Sequence, residues 1–265
     1  MKKGIDVSKH NSKIDWSALE GKLDFVMIRA GYGKNNIDEK LEYNVNGCKT
    51  YKIPFGFYWF SYALSPGMAE KEADYVCDIA DKYKPVYPIA FDWEYDSDNY
   101  AKKQGVLITN DTRINIARSF LKRVEKRGYF AINYTNKDYY LYKGFNKLSE
   151  FAIWYAEWYT GNPTIPCEIW QRTNKAKYQG ISGFVDENHS YLNFDTLKEG
   201  DHIEMDNNKI SSKTDEIYNN KVKAKYTQVI EDVLKGKYGN GKARRENLKT
   251  AGVDYDFVQS VINGL

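Results

Sequence analysis

The stretch Tyr87–Asp98, YPIAFDWEYDSD, decides how the rest of the chain is read. An apolar run, Tyr87-Pro88-Ile89-Ala90-Phe91, leads into two carboxylates, Asp92 and Glu94, with Trp93 between them. A short continuous apolar run predicts a buried strand. Its acidic end predicts that the strand emerges at a site, as strands do at the carboxyl-terminal mouth of a βα-barrel. On a strand, residues i and i+2 project to one face with Cα atoms about 6.6 Å apart. Asp92 and Glu94 are therefore expected to face the barrel interior together. The triplet alone is weak, since roughly five acid-x-acid triplets arise by chance from 36 acids in 265 positions.

The surroundings supply the context. Short apolar or β-branched runs at Gly4–Ser8, Phe25–Gly33, Ile53–Phe60, Tyr87–Glu94, Tyr129–Thr135, Phe151–Trp158, Cys167–Thr173 and Gly183–Leu192 predict eight strands. The segments between the first five are long enough for helices. The clearest are Pro66–Tyr83, opened by Pro and acids, and Thr112–Arg127, with Asp111 as its cap and Gly128 as its end. Only about ten residues separate the last three strands, too few for a crossover helix. The expected fold class is α/β: an irregular βα-barrel of five βα units followed by three strands.

Apolar periodicity lapses over 196–220, where TLKEGDHIEMDNNKISSKTDE reads as a linker. It returns with Tyr226, Val229, Ile230, Val233 and Leu234 on one helical face, which Gly236 stops. A second helix is expected at Lys242–Thr250, closed by Gly252. Asp254 or Asp256 can cap a third that carries Phe257, Val258, Val261 and Ile262. The predicted domains are a barrel over 1–195, a linker over 196–220 and a small three-helix bundle over 221–265. Lys221–Leu265 holds nine Lys/Arg against five Asp/Glu, which leaves 30 of the 39 basic and 31 of the 36 acidic residues upstream. A basic module on a near-neutral barrel suits targeting to an anionic surface, and equally suits a bundle solubilised by lysines.

Composition narrows the function classes. A net charge of +3 argues against nucleic acid as a partner, and no run approaches the length of a membrane span. Met1–Ser8, MKKGIDVS, has two lysines and no apolar core of a secretory signal. Cys48, Cys77 and Cys167 are odd in number and far apart, which suits free thiols in a cytosolic product. The three His are scattered and form no zinc pattern, so neither metal nor cofactor is expected. Tyr (23) and Trp (6) are abundant, and such surplus lines sites that stack on sugars or bases, or simply fills a core.

Two further acids occupy comparable strand positions, Asp6 in GIDVS and Asp186 in GFVDEN. The first and last strands are neighbours in a closed barrel, so four acids converge from three strands. Crowding and burial raise carboxyl pKa values, which can leave one acid protonated beside an ionised one. Glycoside hydrolysis needs that pair: a proton donor to the leaving oxygen and an anion for the oxocarbenium-like transition state. Metal binding by the acids, helix capping, and pairing with Arg29 or Arg172 are the alternatives. Aromatic residues at strand ends suit a sugar groove: Tyr58 and Tyr62 at the end of the third strand, Tyr134 on the fifth, Trp158 on the sixth, and Trp170 with Gln171 on the seventh. Tyr134 and Trp158 lie nearest the strand ends.

These segments resemble glycoside hydrolase family 25 lysozymes. GIDVSKHN, RAGYG, GFYWFSYA, AFDWE, INYTN, IWYAEW, IWQRT and GISGFVDEN occur in the family's order across residues 4–195. The resemblance implies a β-1,4-N-acetylmuramidase that cuts peptidoglycan between N-acetylmuramic acid and N-acetylglucosamine. It implies Glu94 as general acid, Asp92 as stabiliser of the transition state or intermediate, and Asp6 and Asp186 as supporting acids. Tyr134 is implied to contact substrate, with Tyr62, Tyr58, Trp158, Gln171 and Arg29 as further binding candidates. Two departures stand out: His189 and Ser190 follow Asn188 where members carry an Asn-aromatic pair, and Arg172 stands where an aromatic is common, which would alter one subsite.

The tail, VIEDVLKGKYGNGKARRENLKTAGVDYDFVQSVINGL, resembles the three-helix cell-wall-binding repeat of some phage lysozymes. That likeness implies muropeptide recognition by Gly239, Asn240, Gly241 and Arg244, although GNG also reads as a plain turn between helices. Together these resemblances imply a phage endolysin, made in the host cytoplasm and released through a holin. A bacterial autolysin and a non-catalytic glycan-binding barrel are the alternatives. Met205, just ahead of the module, offers an internal start that would supply extra copies of the bundle or a homo-oligomer. An ordinary linker methionine is the simpler reading.

Overall fold

The computed structural model describes residues 1–194, 229, 232–239, 241–251, 253, 255 and 258. The chain divides into two units, Met1–His202 and Ile203–Leu265. Among the described residues of the first unit nine strands form: β1 Lys2–Val7, β2 Phe25–Tyr32, β3 Asn36–Ile37, β4 Phe55–Phe60, β5 Ile89–Asp92, β6 Ala131–Asn136, β7 Ala152–Ala156, β8 Ile169–Ala176 and β9 Val185–Ser190. Their order is β1-β9-β8-β7-β6-β5-β4-β2-β3, and a β1–β2 pairing closes the eight long strands into a barrel. The two-residue β3 lies outside that ring as an antiparallel arm on β2. Every expected strand forms. The arm is an addition, too short to carry a period-2 signal.

Pairings from β1 through β2 and from β4 to β8 are parallel, but β9 runs antiparallel to both β8 and β1. This direction matters for the site. In an all-parallel barrel Asp186, at the start of its strand, would sit at the wrong end. Reversal of β9 places it directly opposite Asp6 of β1.

The layers follow from side-chain alternation. On β5, Ile89 and Phe91 face outward into the cluster under the helices, while Ala90 faces the barrel interior with Met27, Ile132, Trp154 and Ile169. Helices α1 Leu41–Thr50, α2 Pro66–Tyr83, α3 Tyr95–Lys103, α4 Asn110–Lys126 and α5 Lys137–Tyr142 cover the outer face. Helix α2 spans the expected residues. The Ser65 hydroxyl accepts from the Met68 N–H, Pro66 opens the first turn, and left-handed Lys84 ends it. Helix α4 begins two residues early because the Thr109 hydroxyl, rather than Asp111, caps it. The first βα unit is also reduced: after β1 only a 3₁₀ turn forms, Trp16–Leu19. Among the described residues no helix intervenes between β7, β8 and β9.

That 3₁₀ turn docks through Trp16 on a helical glycine. A Cβ at Gly47 would stand 2.3 Å from the Trp16 ring. Gly47→Ala is therefore expected to displace a buried indole and to cost about 1–3 kcal/mol, read as a lower midpoint in thermal or urea unfolding. An unchanged midpoint would show that the turn yields freely.

In the second unit, α6 Gly241–Thr250 forms where the second tail helix is expected. Val229, Val233, Leu248, Val253 and Val258 make a small apolar cluster with Tyr238 and Tyr255 against it. Gly236 has φ 80°, consistent with a helix stop. Arg244 Nε donates to the Gly239 carbonyl at 2.9 Å, so it braces the turn before α6. Most of the expected first and third helices, the linker 196–220, Met205 and Asn240 lie outside the described residues. Among those that are described, no helix is long and apolar enough to cross a membrane. Cys48, Cys77 and Cys167 are buried free thiols, and burial pushes each of them up.

Candidate active site

The inward positions near the barrel mouth turn from apolar to polar, and they line one cleft of about 750 Å³. Asp6, Arg29, Tyr58, Tyr62, Asp92, Glu94, Tyr134, Trp158, Gln171 and Asp186 all line it. These ten candidates from the sequence thus come together, but Trp170 does not join them: it is buried away from the cleft, its indole donating to the Glu157 carbonyl at 2.8 Å. Glu94 does so from a different element than expected. Strand β5 ends at Asp92, and Glu94 is the N-cap of α3, its N–H donating to the Ser97 hydroxyl at 3.2 Å. Its backbone is still extended (φ −129°, ψ −172°), so the alternation that turns Asp92 inward carries through to Glu94. Between them Trp93 is buried on the opposite face, its indole donating to Asp98 Oδ1 at 3.2 Å.

Asp6 is the most heavily bonded of the acids. Its Oδ2 accepts from Gln171 Nε2 at 2.9 Å and from Asn188 Nδ2 at 2.8 Å. Both amides are oriented from their oxygen side. Gln171 Oε1 accepts from the Tyr134 hydroxyl (3.1 Å) and the Trp158 indole (3.0 Å), and Asn188 Oδ1 accepts from the Trp154 indole (2.8 Å). Three aromatic donors therefore fix which amide atom faces Asp6. Asp186 stands directly opposite Asp6 across the antiparallel pair, close enough for the two carboxyls to shift each other.

Burial is the main cause of every shift in the cluster. It raises Asp6 well above the carboxylate range, and the charge of Asp186 adds to this. It raises Asp92 likewise, reinforced by Glu94 and Asp6 and opposed by Arg29. It raises Glu94, with Asp186 and Asp96 reinforcing, and it lifts Asp186 to about 6. Burial and mutual repulsion thus favour the protonated forms throughout the cluster, and Glu94 is the acid that reaches the cleft from the α3 N-cap. Among the described residues no group of His, Cys, Asp or Glu is arranged to hold a metal ion.

Arg29 is paired, but with none of the four acids. Its Nε donates to Asp38 Oδ2 at 2.7 Å, and both side chains are buried. Arg172 proves to be no cleft residue. It pairs with Glu187 at 2.6 Å, and Tyr178 donates to the same carboxylate. Sequence reasoning missed Asn188 as a member of the site. Its signal lay in strand alternation, since Asn188 is two residues from Asp186 and shares its face. It missed Phe184 and the Lys9–His10 edge as well. Gly239, Gly241 and Arg244 lie in the second unit, where the turn and α6 hold them.

Residues 5–181 match the glycosyl hydrolases family 25, and residues 227–265 match the CW_7 repeat. The fold is similar to that of the modular autolysin LytC from Streptococcus pneumoniae: TM-score 0.61 and 27% identity over 71% of this chain. The chain spans 46% of the autolysin's length. It is also similar to the catalytic domain of the endolysin ply40 from bacteriophage P40 of Listeria monocytogenes, at TM-score 0.59 and 24% identity over 72% of this chain and 93% of that domain. The Escherichia coli protein YegX is 26% identical over 196 residues, which are 70% of this chain and 68% of its own. Because the family match spans more than half the chain and includes three of the four acids, Asp6, Asp92 and Glu94, the chain belongs to glycosyl hydrolases family 25.

Proposed function

We propose that this chain is a muramidase that hydrolyses the β-1,4 bond between N-acetylmuramic acid and N-acetylglucosamine in bacterial peptidoglycan, and that it serves as an endolysin. The observation that carries the reading is the pairing of Glu94, whose carboxyl burial raises, with a deeper Asp92 in one aromatic-walled cleft. Glu94 donates its proton to the glycosidic oxygen as the bond to the anomeric carbon breaks. Asp92 stabilises the positive charge that develops on the sugar, either directly or by steadying the substrate's 2-acetamido group as internal nucleophile. Water then completes the hydrolysis, with Glu94 taking back a proton. Asp6 and Asp186 tune the charge around the pair. Tyr134, Tyr58, Tyr62 and Trp158 offer the ring faces and edges on which sugars pack. The solved complex of LytC with a synthetic peptidoglycan ligand supports the choice of substrate.

Mass spectrometry of digested peptidoglycan tests this most directly. Products with N-acetylmuramic acid at the new reducing end are expected. Products ending in N-acetylglucosamine, or peptides freed from glycan, would replace the muramidase assignment by glucosaminidase or amidase.

The CW_7 repeat over 227–265 supports a division of labour. A chain ending near Gly200 keeps all four acids and should cut soluble glycan fragments normally. It should lose most of its activity on intact walls, where tethering raises local concentration. Arg244→Ala should weaken wall binding, since Arg244 both braces the Gly239 turn and supplies the charge. If the shortened chain clears walls as fast as the whole one, the tail has no targeting role.

A further inference from the structure

Helix α2 carries a carboxylate that the reaction above does not use. Its buried face runs through Ala69, Ala73, Val76, Cys77 and Ala80, and Glu72 sits in the middle of that apolar stripe. Glu72 is 3% exposed. A carboxylate in such a place is costly unless fully hydrogen-bonded. Its Oε2 accepts from the Ser61 hydroxyl at 2.6 Å, and its Oε1 accepts from the Tyr62 N–H at 3.0 Å. Burial pushes it up to about 7, and these two bonds oppose the shift.

Both donors belong to the turn that leaves β4 at the barrel mouth. The Ser61 hydroxyl also accepts from the Ala63 N–H at 3.2 Å. One carboxylate and one hydroxyl thus arrange three consecutive residues. The middle one is Tyr62, a wall of the cleft, whose ring lies 5.1 Å from Phe60, 6.4 Å from Tyr32 and 4.9 Å from Tyr100. The base of the turn is fixed separately, because the Ser61 N–H donates to the Asp92 carbonyl at 2.8 Å. Loss of Glu72 therefore frees the Tyr62 backbone without freeing the strand that holds Asp92. In its ionised form a carboxylate suits this place because two donors converge on it and it then brings no donor of its own.

We propose that Glu72 is a positioning residue for substrate: from behind the sheet it clamps the Ser61–Tyr62 turn and so sets the Tyr62 ring against the glycan. This rests on the glycan reading of the cleft. It assigns Glu72 to the binding of substrate and not to the chemical step.

The test uses the full chain on solubilised glycan strands, with KM and kcat measured separately. Glu72→Leu should raise KM about tenfold with kcat changed less than about threefold. Ser61→Ala, which removes one of the two bonds, should raise KM about threefold. Glu72→Gln should restore KM to near the wild-type value, since its oxygen still accepts from the Tyr62 N–H and the Ser61 hydroxyl can turn to accept from the amide. In a Tyr62→Ala background, Glu72→Leu and Ser61→Ala should raise KM no further, because the ring they position is gone. Additive effects in that background would overturn the proposal, as would an unchanged KM in folded Ser61→Ala, or a loss confined to kcat. Ser61→Ala keeps the test decisive even if Glu72→Leu fails to fold. A wild-type protein that leaves glycan uncut would overturn the hydrolase reading and this proposal with it. Additivity in an active enzyme overturns the role of Glu72 alone.

Discussion

Glu94→Gln should lower the rate on soluble glycan by about 10²–10⁴-fold while the barrel stays folded. The amide keeps the shape of the side chain and cannot give a proton to the leaving oxygen. Folding should survive because Glu94 is a raised, crowded acid, and its conversion to a neutral group relieves repulsion from Asp186 and Asp96. The capping box of α3 should survive as well: the Ser97 hydroxyl still accepts from the Glu94 N–H, and the amide oxygen of Gln can accept from the Ser97 N–H as the carboxylate does. The wild-type rate should fall on the alkaline side as Glu94 loses its proton, with the inflection above the ordinary carboxylate range. Asp186→Asn removes a neighbouring charge and should move that inflection to lower pH. Initial rates from pH 4 to 9, with circular dichroism of each variant, check both statements. A folded Glu94→Gln protein of near-wild-type activity would falsify the assignment of Glu94 as the acid.

The second large effect is expected one turn away, at Asp98. This carboxylate accepts from the Trp93 indole (3.2 Å), Arg113 Nη2 (2.7 Å) and the Tyr139 hydroxyl (2.7 Å). The Arg113 side chain is 5% exposed and that of Asp98 22%. Burial raises the Asp98 carboxyl, but the Arg113 and Tyr139 bonds outweigh it and hold the group below its usual value. Asp98→Asn leaves a buried guanidinium without its counter-charge, which should cost about 2–4 kcal/mol after allowance for the partial exposure of the pair. The sign with pH follows from the depressed value. The stabilisation is present above the unfolded carboxyl's pKa, about 3.9, and is lost as pH falls through the lower folded value. Urea unfolding at pH 7 and pH 3 should show a large gap between wild type and variant at the higher pH and a smaller one at the lower. Equal gaps would mean that charge plays no part. Because Asp98 also anchors Trp93, the residue between Asp92 and Glu94, kcat should fall as well.

Much of the barrel was legible because alternation is a local property. Ile89 and Phe91 point one way and Ala90 and Asp92 the other whatever the rest of the chain does. Strand direction is not local. Nothing in GFVDENHS tells whether β9 runs with its neighbours, so the placement of Asp186 could be named but not explained from sequence. The same limit explains Asn188. Its value comes from Asp6 and Trp154 on other strands, and an asparagine in an alternating run gives no sign of either. The counter-charge of Arg29 was hidden for a related reason, since Asp38 lies past the β3 arm. At Glu94 the sequence showed an acid two residues beyond an acid. The helix that begins there competes for the same residues, and the strand reading extended too far.

The antiparallel return of β9 also sets a schedule. A ribosome delivers the amino terminus first, and domains fold as units as they emerge. Here the first strand waits for the last: Lys2 pairs with Ser190 and Asp6 with Asp186. Until then β1 has one sheet partner, and Asp6 lacks Asn188, Gln171 and Asp186 alike. The pair at Asp92 and Glu94 is synthesised near the midpoint of the barrel, yet the wall facing it is among the last parts made. A nascent chain therefore carries Asp92 and Glu94 through much of translation with the cleft still open on one side, and the barrel is completed only when β9 arrives.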